Sequence, residues 1–330
     1  DAASMEAFGK AAAAYAETTA SVPVIKSITA GETDTSITFT GLEPGYYLIT
    51  SSNGSLAIVD TTPTNPAATV NEKNENPTLD KEVKEDGTGN WGKENTAQIG
   101  DTVEFKTTIT LKKGAKNYVM HDKMDAGLTF DGQVEIEEGT EFTVEDNPDD
   151  SCTFEVVFDQ TYLDSLNGDT ILTVTYTAAL NENAVEDGNR KDQKNDAKLT
   201  WGDKSGTEWS ETTTKTFQFD LIKYDAKDNT KTPIAGAVFQ LQDKDGNVIR
   251  LRKVNDHTYK IAAGDDVDTF ALTEGEELLE SFTTIAGTKI TIIGLDLEDT
   301  YYLEELTAPE GYNKLKDKVE VKVNAENTYV

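Results

Sequence analysis

The sequence from residue 300 to residue 312 reads TYYLEELTAPEGY. Side chains alternate between the two faces of a β-strand, so Tyr301, Leu303 and Glu305 point the same way. Two large apolar residues on one face predict a strand that packs into a core. Glu305 therefore brings a carboxyl group to the end of an apolar stripe.

The composition of the whole chain also favours β-structure. Its 330 residues are 36% hydrophobic and 28% charged, which suits two or three domains with modest cores. Val, Ile, Tyr and Phe are plentiful and Thr is unusually common, and these residue types suit a pleated, half-exposed surface. We therefore expect an all-β protein.

The charge of the chain excludes two classes of partner. There are 61 acidic and 30 basic residues, which give a formal net charge of −31. Such a surface repels nucleic acid and anionic lipid. No stretch is long and apolar enough to span a membrane, so neither nucleic acid nor a membrane is expected to bind this segment. The acidic surface favours a soluble, extracellular protein.

Cysteine and histidine are scarce. Cys152 is the single cysteine, and His121 and His257 are the two histidines, so an intrachain disulfide is impossible and a zinc or haem site is not expected. We interpret Cys152 as an ordinary thiol and His121 as incidental. Aspartates cluster at residues 146–150 and 265–268 without the ligand order of a calcium loop. No metal site and no cofactor is predicted.

Three regions follow one another along the chain. Residues 1–76 are interpreted as a partial N-terminal domain with a linker; they include short strands at 36–39 and 46–49 and a helix at 4–20, on which Met5, Phe8, Ala12 and Tyr15 form one apolar stripe. In residues 77–214 and again in 215–330, short strands recur with turn signals between them, among them strands at 170–179 and 217–224. A hairpin is predicted to pair 238–241 with 248–251 across the turn at 243–247. That spacing predicts tandem immunoglobulin-like β-sandwiches after a short N-terminal helix.

Each predicted sandwich has a lysine, an asparagine and an acid at the ends of apolar stripes. The middle set is Lys81, Asn195 and Asp122, and the C-terminal set is Lys223, Asn327 and Glu305. Burial favours the neutral forms of an amine and a carboxyl group, and a neutral amine is a nucleophile. A protonated acid could polarise the asparagine carbonyl while ammonia leaves, which would give a Lys–Asn isopeptide bond. The alternative is that each lysine reaches water along the surface and each acid caps a turn.

The C-terminal region resembles the B-type domains of pilins and collagen adhesins. TYYLEELTAPEGY is similar to their pattern Tyr-x-Leu-x-Glu, two residues, then Ala-Pro-x-Gly-Tyr. PIAGAVFQL at residues 233–241 is similar to their Leu-x-Gly-Ala-x-Phe signature, with Ile at the first apolar position. The resemblance implies that Lys223 and Asn327 are bonded and that Glu305 is the catalytic acid.

The middle region resembles the isopeptide-forming, collagen-adhesin A-like domain of fimbrial shaft proteins. Lys81 in TLDKEV matches the linkage lysine, and GDTVEF at residues 100–105 matches the second-strand signature. Asp122 precedes GLTF as the acid does in that family. Asn195 in NDAKL matches the partner asparagine.

The first region resembles the later part of the N-terminal shaft domain, and its Thr50 stands where the acid would be. No isopeptide bond of this type is therefore expected there. Shaft subunits are joined head to tail when a sortase links the C-terminal threonine of one subunit to a lysine of the next. Lys73 in VNEKN occupies the place of the family's Tyr-Pro-Lys-Asn motif, although Tyr and Pro are replaced. The alternative for Lys73 is a solvated linker lysine.

Together these resemblances imply a major pilin of a cell-wall-anchored, extracellular pilus. Its partners would be adjacent pilin subunits and a pilus-specific sortase, and its only catalysis would be on itself. One alternative is an adhesin or a minor pilin that binds a host protein or glycan. Another is a glycan-active enzyme, but the acids form no recognisable pair across a cleft.

Overall fold

The computed structural model describes residues 2–19, 21–31, 34–263, 278–297, 299–325 and 328–330. The described residues before the first sandwich form one helix and a two-stranded hairpin. These elements are α1 (Ala2–Thr18), β1 (Tyr46–Thr50) and β2 (Leu56–Asp60). The helix confirms the predicted one to within two residues at each end, whereas the residues predicted as a strand at 36–39 are not in a strand.

The middle region contains two facing sheets. Its elements are β3 (Thr78–Lys84), β4 (Trp91–Gly92), β5 (Glu94–Thr96), β6 (Thr102–Leu111), β7 (Val119–Met124), β8 (Leu128–Glu135), β9 (Phe142–Asp146), β10 (Phe154–Phe158), α2 (Gln160–Ser165), β11 (Thr170–Leu180), a 3-10 helix (Glu182–Ala184), β12 (Val185–Glu186), β13 (Asn189–Arg190), β14 (Gln193–Trp201), β15 (Ser205–Gly206) and β16 (Ser210–Lys215). One sheet has the order β5-β16-β14-β7-β10-β9, with β15 beside β14, and the other has the order β4-β3-β6-β11-β8.

Alternating side chains from the two sheets fill the middle core. Along β6 the residues at alternate positions from Val103 to Leu111 are buried, which is the pattern of a strand with one face in a core. The Phe154 ring of β10 stacks on Phe130 of β8 at a centroid distance of 4.2 Å and meets Tyr176 of β11 edge-on at 5.0 Å. These contacts join the sheets as a sandwich.

The C-terminal region is a second, smaller sandwich. Its strands are β17 (Phe217–Leu221), β18 (Val238–Gln242), β19 (Leu251–Asn255), β20 (Thr258–Ile261), β21 (Phe282–Thr283), β22 (Ile290–Leu295), β23 (Thr300–Thr307), β24 (Val319–Lys322) and β25 (Thr328–Tyr329). The sheet orders are β19-β20-β22-β17-β25 and β21-β18-β23-β24. The structure confirms the all-β, immunoglobulin-like class with a short N-terminal helix, and the domain boundaries stay predictions.

One predicted pairing in this sandwich is wrong. Val238–Leu241 was expected to pair with Val248–Leu251 as a hairpin, but β18 pairs with β21 and β23. The expected hairpin is reduced to an isolated bridge between Gln242 and Val248. The turn closes on Asp243, whose Oδ1 accepts from the backbone N–H of Asn247 at 2.8 Å. The chain then crosses to the other sheet, where β19 pairs with β20.

The N-terminal region has no comparable core. Phe8 and Tyr15, two members of the predicted apolar stripe on the helix, are each 61% exposed, and Tyr46 is 85% exposed. Among the described residues, no hydrophobic side chain before Val83 belongs to the buried core. No described helix is long and apolar enough to cross a membrane.

Specific contacts tie the hairpin of this region to the middle sandwich. The indole N–H of Trp201 donates to Asn53 Oδ1 at 3.0 Å. Gly54 has a φ of +83°, and a Cβ there would lie 2.3 Å from the carbonyl carbon of Gly114. Only glycine fits this turn without displacing the backbone beside it.

The two sandwiches also share a bonded junction. The backbone N–H of Ile99 donates to the carbonyl of Gly294 at 2.9 Å. Glu182 in the 3-10 helix is 2% exposed and lies 2.7 Å from Arg252 Nε and 3.1 Å from Lys260 Nζ. A buried carboxylate with two cationic partners is compensated, so the junction is more than a flexible linker.

Candidate crosslinking sites

The predicted middle set comes together inside the first sandwich. Lys81 is on β3 in one sheet, whereas Asp122 on β7 and Asn195 on β14 are in the facing sheet. Ala197 pairs directly with Asp122, so Asn195 is the diagonal neighbour of Asp122 on the same face. The lysine therefore reaches across the core toward an acid and an amide on adjacent strands.

The contacts of Lys81 confirm its proximity to the acid. Its Nζ lies 2.5 Å from Asp122 Oδ2 and also donates to the Tyr176 hydroxyl. That hydroxyl donates in turn to Asp122 Oδ2. Asn195 Nδ2 lies 3.4 Å from the same hydroxyl, so Tyr176 contacts all three predicted residues.

The site is dry. Lys81, Asp122 and Asn195 are each 0% exposed. The Lys81 Nζ lies 5.1 Å from the ring centroid of Phe105 and 4.7 Å from that of Tyr176. Water cannot solvate a charge in this position, so the protonation states are set by burial.

Burial shifts the pKa values of both partners toward their neutral forms. It lowers the pKa of Lys81 from the ordinary lysine value, and the charge of Asp122 opposes this only in part. Burial likewise raises the pKa of Asp122, against the attraction of Lys81. The pKa of the Tyr176 hydroxyl is raised well above its ordinary value, first by burial and then by Asp122. A free amine beside a protonated acid is the pair that the proposed chemistry needs.

Two oxygens at this site lack hydrogen-bond donors. Within the described part of the chain, neither Asp122 Oδ1 nor Asn195 Oδ1 has a hydrogen-bond partner. Unsatisfied buried acceptors are costly. A proton on Asp122 would turn its carboxyl group into a hydrogen-bond donor. Donation from that group to Asn195 Oδ1 would satisfy the second oxygen and polarise the Asn195 carbonyl.

Tyr176 is the functional residue that sequence reasoning missed. Its strand was predicted, and its inward face follows from parity with Val174 and Ala178. A tyrosine in that stripe is most simply interpreted as core packing. The tyrosine hydroxyl was the feature of the sequence that could have indicated a polar group inside the core, because a buried tyrosine usually has a hydrogen-bond partner.

The C-terminal site is only partly described. Lys223 Nζ lies 3.0 Å from Glu305 Oε1, and the two side chains are 16% and 0% exposed. The geometry of this ion pair is not that of a hydrogen bond, so Glu305 Oε1 has no hydrogen-bond donor among the described residues. Glu305 Oε2 accepts from the backbone N–H of Leu315 at 2.7 Å, which holds the carboxyl group in place.

Asn327 lies outside the described residues. Thr328, which follows it, pairs with Phe219 in a parallel ladder between β17 and β25. Lys223 is four residues beyond Phe219, which corresponds to about 13 Å of strand. Lys223 also lies past the end of β17, although the predicted strand ran to Tyr224. The Lys223–Asn327 pairing stays a prediction.

Lys73 lies in the exposed linker before β3. The Glu72 carboxylate accepts from the backbone N–H groups of Lys73 and Asn74 at 3.0 and 2.9 Å. Asn74 Nδ2 donates to the carbonyl of Asn53 in the β1–β2 turn at 2.7 Å. The linker is thus anchored while the Lys73 side chain remains accessible.

The fold of the chain matches known protein folds. Residues 217–330 match the family model of the SpaA prealbumin-like fold domain, about a third of the chain. A search of curated proteins finds no match to the sequence.

Solved structures share the fold over most of the chain. The 35 kDa C-terminal fragment of the major pilin GBS80 of Streptococcus agalactiae is 21% identical with a TM-score of 0.53, over 76% of this chain and 92% of that one. The full-length major pilin SpaD of Corynebacterium diphtheriae is 18% identical with a TM-score of 0.51, over 86% and 71%. The full-length major pilin RrgB of Streptococcus pneumoniae is 16% identical with a TM-score of 0.51, over 82% and 73%. The chain has the fold of Gram-positive major pilins.

Proposed function

We propose that this chain is a backbone subunit of a sortase-assembled pilus, strengthened by an internal isopeptide bond between Lys81 and Asn195. The observation that carries the proposal is the fully buried cluster of lysine, acid and asparagine inside a sandwich with the major-pilin fold. A lysine with no access to water is expensive to keep charged. Its conversion to an amide removes that cost.

The reaction balances within the site. The neutral Lys81 Nζ attacks the Asn195 side-chain carbonyl carbon, and the bond from that carbon to Nδ2 breaks. Asp122 donates a proton to the leaving nitrogen and accepts one from the lysine nitrogen, so that one ammonia leaves and the acid is regenerated. Tyr176 contacts all three groups and holds them together.

Mechanical strength follows from where this bond would lie. Lys81 is on the first strand of the middle sandwich, and Asn195 is on β14 in the facing sheet. A covalent link between the sheets would keep them from separating under tension, in a chain that has one cysteine and hence no internal disulfide. A second link from Lys223 to Asn327, with Glu305 as the acid, would clamp the C-terminal sandwich in the same way.

Lys73 is the proposed acceptor for the preceding subunit. Its exposed position on an anchored linker gives a sortase access to the amine. The role of the protein would then be structural, with extracellular, head-to-tail covalent assembly and no external substrate.

Polymerisation by the cognate sortase tests this function. Purified chain with a sortase recognition signal added after Val330 should form a ladder of covalent multimers, and Lys73→Ala should abolish the ladder. Lys204→Ala removes another exposed lysine and should leave the ladder intact. An undiminished ladder from Lys73→Ala would reject Lys73, and no ladder from the unaltered chain would reject the shaft function.

A further inference from the structure

A cluster of four potential metal ligands lies on the outer face of the middle sandwich. His121 Nδ1 lies 3.0 Å from Asp150 Oδ2 and 2.5 Å from Glu155 Oε1. Cys152 Sγ lies 3.2 Å from Asp150 Oδ2. The ligand atoms of His121, Asp150 and Cys152 all lie within 4.8 Å of one another. The cluster is separate from the crosslinking site, because His121 and Asp122 are consecutive on β7 and point to opposite faces.

The His121 ring lies between the Thr200 hydroxyl at Nε2 and two carboxylates at Nδ1. His121 Nε2 lies 2.9 Å from the Thr200 hydroxyl, which itself donates to the carbonyl of Val119. In the tautomer that carries its proton on Nε2, the Thr200 hydroxyl accepts that proton and the Nδ1 lone pair faces the carboxylate oxygens, as metal ligation requires. A cation on Nδ1, either a proton or a metal ion, offsets the repulsion between the lone pair and the carboxylates.

We propose that His121, Asp150, Cys152 and Glu155 bind a zinc ion. One imidazole nitrogen, one thiolate and two carboxylate oxygens are a four-ligand set that zinc accepts in tetrahedral geometry. Calcium and magnesium prefer oxygen alone, so the thiol and imidazole argue against them. Zinc–ligand bonds of about 2.0–2.3 Å require ligand atoms roughly 3.3–3.8 Å apart. The 3.0 and 3.2 Å contacts of Asp150 therefore open by a few tenths of an ångström around the ion. Glu155 lies 2.5 Å from His121 but outside the group of three whose ligand atoms lie within 4.8 Å of one another, so its side chain moves by about 1 Å to become the fourth ligand.

The backbone holds these four residues in place. Glu155 on β10 pairs directly with His121 on β7, which puts their side chains side by side on one face. Asp150 and Cys152 come from the loop between β9 and β10, where Asp150 Oδ1 accepts from the Cys152 backbone N–H at 3.0 Å. Ser151 between them has a φ of 68°, in the left-handed region. Thr200 supplies the outer contact that fixes the orientation of a ligating imidazole.

Metal binding by the purified, reduced chain tests the proposal. Calorimetric titration with zinc chloride should give one saturable site, whereas magnesium chloride should give none. Cobalt(II) chloride should produce a thiolate-to-cobalt charge-transfer absorption, because Cys152 is the single cysteine. Cys152→Ser should abolish that absorption and weaken zinc binding by roughly 100-fold or more, since the loss of outer contacts alone costs 10–100-fold.

A variant in the same loop provides the control. Asp149→Asn removes an exposed acid that is outside the cluster and should leave both zinc affinity and the cobalt spectrum unchanged. The proposal is overturned if zinc shows no saturable binding, or if the cobalt complex of the unaltered chain lacks the thiolate band. The latter measurement needs no variant, so a folding defect cannot obscure it.

Discussion

Lys81 and Lys223 each lie beside one carboxyl group, but they differ in their access to water. Lys81 and Asp122 are both 0% exposed and enclosed between two sheets. Lys223 lies past the end of its strand with its side chain 16% exposed, although its partner Glu305 is 0% exposed. Burial without water lowers the pKa of Lys81, whereas Lys223 keeps partial access to solvent.

The third member of the set is described only at the middle site, since Asn327 lies outside the described residues. Asn195 is on the strand next to Asp122 and shares a tyrosine hydroxyl with Lys81. The C-terminal strand next to β17 is in a register that puts Thr328 at Phe219 rather than at Lys223. The comparison teaches that a lysine and an acid in contact do not by themselves define a crosslink. The asparagine must reach them as well.

Removal of the acid should have the largest effect, and a larger one in the middle sandwich. Asp122→Ala prevents the crosslink, which in the chain-entropy model of a loop of about 100 residues contributes about 4.7 kcal/mol. It also leaves Lys81 buried without its partner. Glu305→Ala should cost less, because Lys223 can reach water. Chemical denaturation of each variant measures the difference.

A surface acid provides the control for this pair. Glu104, 47% exposed in its ion pair with Lys84, should cost at most about 1 kcal/mol when replaced by alanine. A loss for Glu305→Ala equal to or larger than that for Asp122→Ala would contradict the comparison.

The pH dependence of stability should show the buried amine directly. Asn195→Ala with Asp122→Asn leaves Lys81 uncrosslinked and without an acid. Burial lowers the folded-state pKa of Lys81 below the ordinary 10.5. Above that folded-state pKa and up to about 10.5, the unfolded chain binds one more proton, so stability should rise by up to about 1.4 kcal/mol per pH unit.

Asn195→Ala alone is the matched variant for this slope. Asp122 then keeps a proton in the folded state that the unfolded chain releases above its ordinary pKa of 3.8, because burial raises the folded-state pKa. This offsets the lysine, so stability should be flatter across neutral pH. Urea unfolding from pH 6 to pH 9 compares the two variants, and identical slopes would refute the neutral pair.

Tyr176→Phe should have the smallest effect on stability. The change removes the hydroxyl that contacts Lys81, Asp122 and Asn195 but keeps the ring, which stacks on Phe105 at 5.5 Å. We expect a loss of about 1 kcal/mol and slower bond formation, visible as a mixture of masses shortly after folding. Tyr118→Phe removes a buried hydroxyl that bonds to Lys112 instead, and should not slow the reaction. Equal rates for both variants would exclude Tyr176 from the site.

Strand parity predicted the members of the middle site because the strands there alternate regularly. Lys81 on β3 and Asn195 on β14 each follow the buried–exposed alternation of a sandwich, and the acid follows from the same rule on β7. Parity reports which face a side chain is on and says nothing of which strands are neighbours. The family resemblance implied that the three side chains belong together, and in the structure all three contact Tyr176.

Other features could not be predicted from the sequence for the same reason. The hairpin predicted after β18 failed because a local turn at Asp243 does not decide whether the chain stays in the same sheet. The cluster at His121 joins residues about 30 positions apart through strand pairing, so no local motif marks it. The exposed stripe on the N-terminal helix shows that helical periodicity predicts an apolar face without predicting what covers it.

The intact mass of the purified chain tests the central claim most directly. A Lys81–Asn195 bond predicts a mass lower than the sequence mass by one ammonia, and a second ammonia is lost if Lys223 and Asn327 also react. Lys81→Ala should restore one ammonia, and fragmentation should yield a peptide pair joined through Lys81 and Asn195. A chain at its full sequence mass, with no such joined peptides, would contradict the account.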